Sequence, residues 1–115
     1  MLIKSARAKG KQFERDVAEF ITNWTNVKFR RTPCSGGIRG VFPGDIMKME
    51  QKPTIFDDVL LEMKDQNQIS MPTWIKQTES EAIDANLTKW LIFFKHKGKI
   101  YVTLPMPYLE KLIKG

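Results

Sequence analysis

The residues of this chain whose types and spacing could do chemistry begin with a carboxylate and an amine two positions apart, Glu62 and Lys64. They sit in the stretch Val59-Leu60-Leu61-Glu62-Met63-Lys64. Alternation at the period of a strand puts Val59, Leu61 and Met63 on one face and Leu60, Glu62 and Lys64 on the other. Same-face neighbours on a strand are ~6.6 Å apart, so both charged groups could approach one small ligand, such as a metal-bound water or a phosphate. Charges on an otherwise apolar strand are costly without partners or a task. Taken alone, the stretch reads as an ordinary ion pair on an amphipathic strand, because Glu-x-Lys is a very common spacing. The rest of the chain shifts that balance.

Two further carboxylates are candidates to join Glu62. Asp45 opens a strand directly after a glycine-rich loop, and the chain then turns near Pro53 and returns through Ile55–Lys64. In an antiparallel hairpin centred near Lys52, Asp45 lies roughly opposite residues 59–61, one or two steps from Glu62. Asp57 and Asp58 are the rival acids, and Asp58 shares the face of Glu62 but lies further from Lys64. Glu14 borders the apolar stripe of the first helix, where it could turn inward to a site or pair with Arg15 or a lysine on the surface. Glu14, Asp45, Glu62 and Lys64 together suit metal-dependent phosphodiester hydrolysis. Mg²⁺ prefers oxygen ligands and keeps several waters, so a few carboxylates hold it against a phosphate. The metal acidifies its water and offsets phosphate charge, while a lysine orients that water or stabilises developing charge.

The elements that must carry these residues follow from periodicity. Phe13, Val17, Phe20, Ile21 and Trp24 recur at three- and four-residue steps and predict a helix over 11–24. Val27–Arg30 alternates as a short strand. Residues 31–44 hold four of the seven glycines and two prolines, a long loop that also carries Arg31, Arg39 and Ser35. Ser70 as cap and Pro72 in the first turn predict a second helix to Ala85, with Trp74, Ile75, Thr78, Ala82 and Ile83 inward and Gln77 beside them. Lys89–Phe94 is almost wholly apolar, as in a strand buried on both faces, and His96-Lys-Gly-Lys99 turns it into Ile100–Leu104. Tyr108–Ile113 closes the chain as a helix. The order is α-β-β-β-α-β-β-α, a small α+β fold with helices against a mixed sheet, in one domain spanning 1–115.

Composition limits the partners. A formal net charge of +6 and a pI near 9.6 point to a polyanion, with nucleic acid the first candidate. No stretch has the ~18 consecutive apolar residues of a membrane span, and the basic start Met1-Leu2-Ile3-Lys4 is no signal peptide. Cys34 is single, so neither an internal disulfide nor a zinc spacing exists, which implies a reducing, cytoplasmic setting. His96, the only histidine, falls in a turn and offers no base or ligand.

Four motifs in order resemble a known pattern. Gly10-Lys-Gln-Phe-Glu14-Arg15 is followed by Arg31-Thr-Pro-Cys-Ser35-Gly36-Gly37, then Pro43-Gly-Asp45, and 17 positions beyond Asp45 by Glu62-Met-Lys64, with Gln77 on the next helix. The last two motifs resemble the signature of the PD-(D/E)xK nucleases, with one glycine inserted between proline and aspartate. The whole set, over roughly residues 9 to 94, resembles the archaeal-type Holliday junction resolvases, which also occur in phages. That resemblance implies a restriction-endonuclease-like core. It implies Glu14, Asp45 and Glu62 as ligands of Mg²⁺, with Mn²⁺ as a substitute, and Lys64 serving the attacking water. Ser35 would act near the scissile phosphate and Gln77 would support the site. Lys9, Lys11, Arg30, Arg31, Gly36, Gly37 and Arg39 would contact DNA. It also implies a homodimer whose two sites cut two strands of a four-way junction, with Met71, Trp74 and the segment from Met106 to Ile113 as places for the dimer surface or for internal packing.

Three readings stand beside one another: a junction resolvase, a nicking, flap or repair nuclease of the same fold, and a non-catalytic DNA-binding protein. The third accounts poorly for three carboxylates in a basic chain, since carboxylates beside DNA repel it.

Overall fold

The computed structural model describes residues 6–33 and 43–115. Among them the order is α1 (Ala6–Thr25), β1 (Phe29–Arg31), β2 (Ile46–Lys48), β3 (Val59–Lys64), α2 (Met71–Asp84), β4 (Lys89–His96), β5 (Lys99–Thr103) and α3 (Met106–Lys114). β3 pairs in parallel with β4, which pairs antiparallel with β5, so the three-stranded sheet is mixed. A parallel pair needs a crossover, and α2 supplies it. β1 and β2 form a separate antiparallel pair.

β4 reads as it packs. Leu91 and Phe93 face a core with Phe13, Val17, Ile21, Phe29, Leu61 and Met63. Trp90 and Ile92 face a second core with Leu60, Trp74 and Ala82. β3 splits in the same way, its odd residues under α1 and Leu60 under α2, which is the alternation its sequence carries.

Several expectations are corrected. α1 starts at Ala6 and takes the basic run, with Lys9 and Lys11, into the helix, since alanines favour it and a side chain at Gly10 would meet nothing within 4 Å. Its buried face is Phe13, Val17, Ala18 and Ile21, an i, i+4 ridge. Phe20 and Trp24 are 45% and 65% exposed and stack on each other at 6.1 Å. On α2 the same geometry buries Trp74, Thr78 and Ala82 and leaves Ile83 74% exposed. Ser70 precedes that helix without a side-chain capping bond, and its hydroxyl instead meets that of Thr73 at 3.0 Å. α3 begins at Met106, two residues before Tyr108, because Pro107 fits a first turn.

The expected β2–β3 hairpin does not form. Residues 49–58 fold as a turn around Asp57, whose Oδ1 accepts from Lys48 Nζ at 2.7 Å and whose Oδ2 accepts from Thr54 N–H at 3.2 Å. The Lys48 hydrogen bond holds the Asp57 carboxyl below the usual carboxylate range. Asp58 then adopts φ 60, and β3 begins only at Val59.

Candidate active site

β3 is the floor of the site and Asp45 is fastened to it twice. The Asp45 N–H donates to Leu61 O at 2.8 Å, and its Oδ2 accepts from Met63 N–H at 2.7 Å. These bonds put Asp45 beside Glu62 without a ladder between β2 and β3. Thr32 N–H, just beyond β1, donates to Asp45 O at 2.9 Å and fixes it from the other side. Gly44 makes the close approach possible. It has φ +84, and a Cβ there would lie 2.8 Å from Leu61 O. The glycine between Pro43 and Asp45 is therefore a requirement of this geometry.

Glu62 is 6% exposed on the α2 side of β3. Burial pushes its carboxyl up to about 11, helped by the Asp45 charge, by the hydrogen bond and charge of Glu81, and by a hydrogen bond with Asp45. With protein groups alone, Glu62 holds a proton at neutral pH. Burial also raises Glu14, the Asp45 charge raises it further, and Arg31 opposes both. Arg31 Nε lies 3.4 Å from Glu14 Oε2, an ion pair whose angles make no hydrogen bond, so both buried atoms remain without a hydrogen-bond partner among the described residues. Asp45 is thus the charge that Glu14 and Glu62 both feel.

The Asp45 charge reaches both Glu14 and Glu62, and Arg31 pairs with Glu14. Lys64 ends β3 on the Glu62 face, half-buried, and makes no ion pair among the described residues. Gln77 is exposed on α2. Arg30 and Lys9 are exposed and Lys11 is half-buried. Ser35, Gly36, Gly37, Arg39 and Cys34 lie outside the described residues. Trp74, a candidate for a dimer surface, is 2% exposed and packs on Phe94 at 5.7 Å, and Met71 packs against the same core.

Two residues of the site were not singled out in the sequence. Glu81 lies four positions after Gln77 on α2, a spacing that places both on one helix face. That spacing was the available signal, since only a parallel β3–α2–β4 unit brings Glu81 to Glu62. Thr32 is 2% exposed, and its Oγ1 has no hydrogen-bond partner among the described residues. No sequence signal marks it.

The family model described as "Phage putative PDDEXK endonuclease" matches residues 5–115. The chain belongs to that family. No curated protein and no solved structure matches it. PDDEXK endonucleases generally use divalent metals, so the fit of this chain to one matters. Among the described residues no group of three or more His, Cys, Asp or Glu side chains meets the placement of a metal site. The donor chemistry nevertheless fits a hard divalent cation. Every candidate donor is a carboxylate oxygen, the Asp45 charge raises both Glu14 and Glu62, and Glu14 Oε2 is buried without a hydrogen-bond partner among the described residues. Among the described residues of this PDDEXK chain, no helix is long and apolar enough to cross a membrane.

Proposed function

We propose that this PDDEXK endonuclease is a Mg²⁺-dependent, structure-specific DNA endonuclease that resolves four-way junctions by paired symmetric nicks. The observation that carries the reading is the pinning of Asp45 to β3 beside buried Glu62, with Lys64 two residues on along the same face. Glu14, Asp45 and Glu62 would hold the metal, with Mn²⁺ able to take the place of Mg²⁺. When bound, the metal supplies an acidified water and a counter-charge for the phosphate. Lys64 orients the attacking water and steadies charge developing on the phosphate. Met63 N–H, by bonding Asp45 Oδ2, fixes the direction of that carboxylate. Gln77 supports the site from α2, and Ser35 acts near the scissile phosphate.

A restriction-endonuclease-like core within one domain, 1–115, accommodates these roles. Paired cutting requires two sites, and a homodimer with two-fold symmetry suits a nearly two-fold junction. An apolar strip on the α1 side of the sheet supports such a dimer: Val102 on the edge strand β5 and Met106, Leu109 and Ile113 on α3 are all exposed.

The test compares strand cleavage of a fixed four-way junction, its matching linear duplex and a flap, in Mg²⁺ or EDTA, with native protein and Glu62→Gln. Paired, symmetric, metal-dependent nicks in the junction alone are expected. Equal cutting of flap or duplex would keep the nuclease and discard the resolvase. Tight binding without cutting of any substrate would leave a DNA-binding protein.

A further inference from the structure

Alongside the site, α1 and β1 enclose a groove of about 590 Å³. Its floor is a tie between the two elements. Thr22 Oγ1 accepts from Phe29 N–H at 2.9 Å and donates to Ala18 O at 2.8 Å. Four cations line it, Arg15 from α1 and Lys28, Arg30 and Arg31 from β1 and its approach, against the single carboxylate of Glu19. Arg15, Lys28 and Arg30 form no ion pair among the described residues. The charge of the groove is therefore not spent inside the fold. Its nearest competitor is Glu50, whose Oε2 accepts from the backbone N–H of Lys28 and leaves the Lys28 ammonium exposed.

Arg31 belongs to both places. It lines the groove and also pairs with Glu14, so one side chain links the groove to the carboxylates. From Arg15 to Asn23 the helix runs about 12 Å. That length spans about three phosphates of one strand of B-form DNA, at ~3.4 Å of axis each.

We propose that this groove is the track for the DNA strand flanking the scissile phosphate, with Arg15, Lys28 and Arg30 clamping successive phosphates. The inference rests on the nuclease reading and adds the path by which substrate reaches the site. It involves phosphate contacts only, so it positions the strand without selecting its sequence. Cations here steer a polyanion toward the carboxylates that would otherwise repel it.

The test measures binding of a labelled four-way junction by anisotropy over a salt series, all in the Glu62→Gln background. The groove pair Arg15→Gln/Lys28→Gln is compared with a pair of equal charge on α3, Lys111→Gln/Lys114→Gln, on the helix whose Tyr108 lies beside Lys89 at the start of β4, the end of the sheet away from Lys64. Melting curves establish that each variant is folded. Loss of the groove pair is expected to weaken binding about tenfold and to flatten the slope of log K against log salt by about 1.8, while the α3 pair changes neither. Equal effects from both pairs would overturn the track, because net charge alone would explain them. So would an unchanged slope in the groove variant. Tighter binding of a matched RNA than of DNA would overturn the DNA assignment. Failure of the parent protein to bind any DNA structure would overturn the nuclease reading itself.

Discussion

At Glu62 stability and function pull in opposite directions. A carboxyl raised to about 11 in the folded protein and ordinary in the unfolded chain contributes most below about pH 4.5 and loses that contribution as pH rises. In EDTA the melting temperature of the native protein should therefore fall between pH 5 and 8. Glu62→Gln keeps a neutral hydrogen-bonding group there, so it should flatten that dependence and raise Tm at pH 8 by about 4 °C or more, while abolishing cleavage and sparing DNA binding. Parallel pH curves for the two proteins would remove Glu62 as the buried acid. Mg²⁺ binding should release protons, detectable by calorimetry in buffers of different ionisation enthalpy. Arg31 offers a second contrast. Arg31→Gln leaves Glu14 facing Asp45 without its cation, so cleavage should fall more than for Arg30→Gln, whose loss should weaken binding and lower the salt slope by about one. Equal losses in the two variants would separate Arg31 from the site.

Among elements, the join between β2 and β3 decides the most. Because β2 pairs with β1, only residues at its entry bind β3, and Gly44 is where the two backbones touch. Gly44→Ala must fit a Cβ against Leu61 O in a left-handed conformation, at a cost of about 1–3 kcal/mol. Urea unfolding should show that loss, and cleavage measured under folding conditions should fall further, since Asp45 moves with the backbone. Full cleavage in a folded Gly44→Ala protein would mean that Asp45 is placed by other contacts. The α2 crossover has its own role, bringing Glu81 to Glu62 on β3.

For the whole molecule, the exposed strip on β5 and α3 predicts association. Val102→Glu/Ile113→Glu should halve the mass seen by sedimentation and uncouple the two nicks, since each monomer would cut alone. A monomeric native protein that still makes paired nicks would discard the strip as a dimer surface.

Period-based features were legible in the sequence because they are local. The alternation of Val59–Lys64, the two-sided burial of β4 and the 3.6-residue ridges of α1 and α2 depend only on which side chains avoid water. The same reasoning erred at Phe20, Trp24 and Ile83, because a stripe drawn from composition is wider than the surface a short sheet can cover. Glu14, Asp45, Glu62 and Lys64 could be named from residue type and spacing, and the family match over residues 5–115 accords with the PD-(D/E)xK resemblance. Sequence could not supply the partners of those residues. Pairing of β2 with β1, the parallel entry of β4 and the arrival of Glu81 and Arg31 at the carboxylates are long-range choices. They are settled by the packing of both faces of β3 at once, under α1 on one side and α2 on the other.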